Sequence, residues 1–123
     1  MKASGKRQKG ARLERKIAEI LRHSGLDKKA QRSFQSGATW SWKSDIYTSL
    51  DFAIEAKAQE KIKIWKFWEQ AETQRKPYKP PVLMVTSNFR PILAVMNLDD
   101  WINLVKERNE YREKAENKTL GHT

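Results

Sequence analysis

Residues 52–58, Phe-Ala-Ile-Glu-Ala-Lys-Ala, leave this chain few ways to fold. Read as a β-strand, they put Phe52, Ile54, Ala56 and Ala58 on one face. Ala53, Glu55 and Lys57 take the other. The apolar face needs a helix over it. The second face holds a carboxylate and an ammonium side by side. Asp45 lies ten residues before Glu55, room for a short strand, a turn and a return. An antiparallel hairpin is expected to set the two acids together. Carboxylates that close repel each other unless a positive group sits between them. A divalent cation meets that need, and Mg2+ takes one or two carboxylates together with water and phosphate oxygens. Lys57 would stand beside it, within reach of a water or a phosphate oxygen.

The rest of the chain supplies what such a strand needs. Leu13, Ile17, Ile20 and Leu21 form one apolar stripe on a helix from about residue 10 to 24, closed by Gly25. Glu14 sits at the edge of that stripe, facing the interior or a cleft. Residues 1–9 read as a flexible basic arm. Strands are expected at 30–35 and 40–47, joined by a turn at 36–39. A second helix, about 60–75, carries Ile64, Phe67, Trp68 and Ala71 inward, and prolines at 77, 80 and 81 end it. Residues 82–86 form a continuous apolar run, consistent with a strand buried on both sides. Residues 92–96 return as another strand. Asn97 or Asp99 caps a last helix whose inner face is Leu98, Trp101, Ile102 and Val105. Residues 107–123 are a polar tail that extends this helix and then frays. The order is α-β-β-β-α-β-β-α: an α/β (α+β) mixed sheet with helices on its faces.

At 123 residues the chain has the size of one domain, spanning 1–123. It has no cysteine, which excludes disulfides and thiolate zinc sites and fits an intracellular setting. No signal-peptide pattern opens it, and no apolar run approaches a membrane span. The net charge of +10 is uneven: residues 1–32 hold 11 Lys and Arg against 3 Asp and Glu. Such a basic front favours a polyanion, and nucleic acid over an anionic membrane. The basic residues lack the apolar anchor face of an interfacial helix.

Glu-x-Lys alone is a weak signal, for Glu116-Asn117-Lys118 repeats it in the polar tail. A solvated Glu-Lys pair on an exposed strand is the plain alternative, and such pairs contribute little. Context separates Glu55 and Lys57: an alternating strand, an acid at hairpin distance, and a glutamate-bearing helix upstream. A helix with Glu14, then Asp45, then Glu55-Ala56-Lys57, then a helix with Gln70, resembles the PD-(D/E)xK nuclease superfamily. The short length, the basic front and the Ser36-Gly37-Ala38 loop resemble most the archaeal-type Holliday junction resolvases and their phage and viral relatives. Ser44 departs from the proline that many members carry before the acid.

The resemblance implies a restriction-endonuclease-like core and a metal-dependent endodeoxyribonuclease that resolves four-way DNA junctions. Asp45, Glu55 and the carbonyl of Ala56 would hold Mg2+, or Mn2+ in its place, with Glu14 completing the site directly or through water. Lys57 would orient the attacking hydroxide or stabilise the phosphorane-like transition state. Gln70 would steady Lys57 or a water, or is an exposed helix amide. Ser36 would lie near the scissile phosphate, or is a turn residue. Lys6, Arg7, Lys9, Arg12, Arg15, Arg32 and Lys43 are candidates for backbone phosphate contacts.

Of five tryptophans, Trp68 and Trp101 lie on apolar helix stripes and are expected in the core. Trp40, Trp42 and Trp65 suit base stacking or a homodimer interface, with Trp65 assigned to the dimer. A four-way junction is approximately two-fold, and cutting both sides needs two related sites. His23 and His122 have no ligand partner in sequence. Two competing readings keep part of this picture: a nickase or repair nuclease for linear or flapped DNA, and a DNA-binding module that does not cut.

Overall fold

The computed structural model describes residues 2–33, 45–73 and 79–119. Its elements are α1 (Lys2–His23), β1 (Gln31–Arg32), β2 (Ile46–Tyr47), β3 (Ala53–Ala58), α2 (Ile64–Thr73), β4 (Pro81–Thr86), β5 (Leu93–Met96) and α3 (Leu98–Thr119). This is the expected α-β-β-β-α-β-β-α order. The boundaries moved most at the front, where α1 begins at Lys2 and takes in the stretch read as an arm. Of the strands expected at 30–35 and 40–47, the described residues show Gln31–Arg32 and Ile46–Tyr47, while 34–44, with the expected turn at 36–39, lie outside them.

Three strands make the main sheet, in the order β3-β4-β5. β3 and β4 run parallel, with Ala56 opposite Met84 and Lys57 opposite Val85. A parallel pair needs a crossover, and α2 supplies it. β4 and β5 are antiparallel, with Leu83 opposite Val95. As the central strand, β4 buries Val82, Leu83 and Val85, as its unbroken apolar run requires.

Alternation along the strands sorts the core into two layers. On one side Leu13, Ile17, Ala18 and Leu21 of α1 pack with Ala30, Ile46, Ile54 and Ala56. On the other Phe67 and Ala71 of α2 pack with Leu83 and Val85, with Trp68 partly buried beside them. Each fully buried Leu, Ile or Phe side chain contributes roughly 1.5–3 kcal/mol. Gly25, at φ +84°, turns the chain out of α1 in the left-handed conformation that glycine accepts without a Cβ clash. Just beyond it, Asp27 is a buried clamp. It accepts from the Thr48 hydroxyl at 2.6 Å, the Ser49 amide at 2.8 Å and the Lys29 amide at 3.0 Å.

The last helix departs from expectation. Asn97 caps it, its side-chain oxygen accepting from the Asp99 amide at 2.8 Å. Yet no described side chain of α3 is buried. Leu98 is 66% exposed and Trp101 53%, so Trp101 is not a core residue. Among the described residues α1 and α2 already cover the two faces of the short sheet, and the α3 stripe finds no comparable surface. Among the described residues no helix is long and apolar enough to cross a membrane.

Candidate active site

Asp45 and Glu55 do come together, but not through a hairpin ladder. β2 pairs with β1, Gln31 opposite Tyr47 and Arg32 opposite Ile46, and forms no ladder with β3. Asp45 itself makes the junction. Its carbonyl accepts from the Ser33 amide at 2.9 Å, and its amide donates to the Ile54 carbonyl at 3.1 Å. Its carboxylate accepts from the Ala56 amide at 2.9 Å. Side-chain alternation explains why this works. β3 is an edge strand, so the amides and carbonyls of Ile54 and Ala56 point away from β4. The Ala56 carbonyl therefore projects on the same edge as the Asp45 carboxylate.

Glu14, Arg32, Asp45, Glu55, Ala56 and Lys57 line one cavity of about 370 Å3. Asp45 and Glu55 are both buried, at 8% and 6% exposure. Burial, the Asp45 charge and a hydrogen bond with Asp45 push Glu55 up to about 8, against the pull of Lys57. Burial beside the Asp45 charge thus disfavours the charged form of Glu55. Burial also raises Glu14, opposed by its hydrogen bond from Arg32 and reinforced by Asp45.

Arg32 holds Glu14 with an Nε–Oε1 bond of 2.6 Å. Sequence reading placed Arg32 among the phosphate contacts. The structure pairs it with Glu14 in the cavity wall, because β1 runs beside α1. Lys57 is partly buried, its ammonium 5.4 Å from the centre of the Phe67 ring. One turn along α2, the side-chain oxygen of Gln70 is buried with no hydrogen-bond partner among the described residues. An acceptor left unpaired in that way is held for a group that arrives later, or costs stability for nothing.

The donor set suits a hard cation. Among the described residues no three His, Cys, Asp or Glu side chains form a ready cage, and Glu14 is engaged by Arg32. Two adjacent carboxylates with a main-chain carbonyl on the same edge are nonetheless what Mg2+ takes when water and phosphate complete the shell. Two buried carboxylates lining one cavity are the negative charge such an ion would relieve.

A family model described as "Phage putative PDDEXK endonuclease" matches residues 5–121. The chain belongs to that endonuclease family. No curated protein and no solved structure matches it. PDDEXK nucleases are in general divalent-metal dependent, in keeping with the carboxylate pair.

The remaining site candidates of this PDDEXK endonuclease divide by position. Lys9, Arg12 and Arg15 are exposed on α1. Lys9 and Arg12 line a second cleft of about 340 Å3, together with Lys16 and Arg90. Arg15 faces elsewhere, beside Arg22 and Arg32. Ser36 and Lys43, with Trp40 and Trp42, lie outside the described residues, as do the side chains of Lys6 and Arg7. Lys16 and Arg90 were not picked out from sequence. Lys16 had a signal, since 9, 12 and 16 share one helix face; Arg90 had none before the turn was known.

Proposed function

We propose that the chain is a divalent-metal-dependent endodeoxyribonuclease hydrolysing DNA phosphodiesters at the Asp45–Glu55 pair. The observation that carries this reading is the Asp45 carboxylate, tied to the Ala56 amide beside Glu55, with Lys57 lining the same cavity. Asp45, Glu55 and the Ala56 carbonyl would hold the ion. The chemistry supplied by Mg2+ or Mn2+ bound there is Lewis acidity at the phosphate and acidification of a water. Lys57 sets a positive charge where negative charge builds as water adds to phosphorus and an ester P–O bond breaks. Phe67 steers the Lys57 ammonium, and the free Gln70 oxygen offers it, or a water, a hydrogen bond. Arg32 opposes the burial that raises Glu14 and holds its carboxyl in the cavity.

The finer proposal is a four-way junction cut by a homodimer. Its support is an apolar stripe on α3 that the described residues leave uncovered, and Trp65 on α2, 76% exposed. Of the two, the α3 face fits a second copy better. Residues 106–118 alternate acids and bases nearly evenly, so two such helices laid antiparallel are complementary in charge.

The test uses a labelled four-way junction and a duplex of equal length, each with Mg2+, Mn2+ or EDTA. Asp45→Ala and Glu55→Ala abolish cutting and leave binding in place. A double variant that still cuts disproves the site. Preference for the duplex moves the substrate to linear DNA, and strands left whole by the native protein make it a binding module.

A further inference from the structure

The turn between β4 and β5 reads Ser87-Asn88-Phe89-Arg90, and the Arg90 amide donates to the Ser87 carbonyl at 3.1 Å. Its third residue, Phe89, has φ +59°. That position of a type II-like turn favours glycine or asparagine, and for a bulky side chain the conformation is an outlier. The turn holds it there by force of other bonds. The Thr86 hydroxyl contacts the Arg90 carbonyl at 2.9 Å, and the Ser87 hydroxyl donates to the Glu60 carbonyl at 2.9 Å. Among the described residues the phenyl gains no cover from this, being fully exposed at 107%. A strained backbone presenting an apolar ring to water is a feature that stability alone would remove.

What surrounds the ring says what it meets. Phe89 lines the second cleft with Asn88, Arg90 and three cations of α1, Lys9, Arg12 and Lys16. Among the described residues no acidic side chain lines it. Ala58 and Gln59 border both this cleft and the carboxylate cavity, so the two adjoin at the end of β3. From Ala56 to Gln59 the strand advances about 10 Å.

We propose that this cleft receives the DNA strand flanking the scissile phosphate, and that Phe89 stacks on a base that is unpaired there. The inference rests on the endonuclease reading and narrows its substrate to DNA with an unstacked base beside the cut. The four cations meet phosphates, which gives affinity without sequence reading. The ring meets a base face, which every nucleotide offers once it leaves the helix stack. A continuous duplex has no such face available, so Phe89 discriminates branched or bulged DNA from linear DNA.

The experiment is equilibrium binding of the full chain in EDTA to three probes: a four-way junction, a duplex with one bulged 2-aminopurine, and a continuous duplex containing the same base. Wild type prefers the first two by about tenfold and changes the fluorescence of the bulged base. Phe89→Gly loses both effects and keeps its duplex affinity, while Phe89→Trp retains them. Because glycine accepts the positive φ, Phe89→Gly melts at or above the wild-type temperature. A Phe89→Gly protein that keeps the preference overturns the inference, and one that melts lower assigns the ring to the fold. Phosphatidylserine vesicles serve as a control probe beside the three DNAs: a Phe89→Gly protein that loses wild-type binding to them and keeps its DNA preference overturns the inference in favour of a lipid surface. Wild type that binds no DNA at all sinks the endonuclease reading as well.

Discussion

The first and last helices are both 22 residues long, and the chain uses them in opposite ways. α1 buries Leu13, Ile17, Ala18 and Leu21 against the sheet while Lys9, Arg12, Arg15, Lys16 and Arg22 stand exposed on it beside a single exposed acid among the described residues, Glu19. α3 carries an equally regular apolar stripe and buries none of it. Its charges are mixed and nearly balanced. Periodicity therefore says that a helix has a wet side and a dry side, and leaves open what covers the dry one. The charge pattern adds the rest: α1 turns a mostly basic surface outward, as suits a polyanion, and α3 turns a self-complementary one.

Four measurements break or sharpen this contrast. The largest effect is on folding. Ile17→Ala costs about 2–5 kcal/mol in urea denaturation. Leu98→Ala stays within about 0.5 kcal/mol at low protein concentration. Equal costs would put α3 in the core. The next is on chemistry. Glu14→Gln slows cleavage about 10–100-fold, as loss of a supporting group does near a metal site. Glu107→Gln on α3 leaves it unchanged. The third is on binding. Replacing Lys9, Arg12 and Lys16 by Gln together flattens the salt dependence of DNA affinity by about 2.7 in log–log slope, roughly 0.9 per phosphate contact. The same change at Lys106, Arg112 and Lys114 leaves the slope alone.

The smallest concerns how α1 is fastened. The Thr48 hydroxyl, with the Ser49 and Lys29 amides, outweighs burial and holds Asp27 down at about 2, below its ordinary 3.8. A depressed acid stabilises the fold above its unfolded value and loses that contribution as pH falls through its folded one. The Asp27 contribution is thus whole above about pH 4 and gone near pH 2. Asp27→Asn makes stability less steep with pH across that window, read by denaturation at successive pH values.

How much of this could be read from the residues alone varies with the range of the interaction. Glu55 and Lys57 were legible because strand alternation is local. Asp45 was legible as a partner but not in its mode of attachment. A ten-residue separation allows a hairpin, whereas the observed link is one residue bonded to Ser33, Ile54 and Ala56 at once. The Glu14–Arg32 pair spans 18 residues and depends on β1 lying against α1, which no spacing rule conveys. Phe89 was silent, since a turn without glycine gives no sign of positive φ. The α3 stripe was misread as core because a dry face looks alike whether its cover is intramolecular or not.

The threefold attachment of Asp45 also suggests how to stop the molecule mid-task. Its carboxylate is docked on a main-chain amide, and the side-chain oxygen of asparagine can occupy the same berth. An Asp45→Asn protein would thus retain its shape at the very spot where charge is removed, making it the natural bait for crystallising an uncut strand in place.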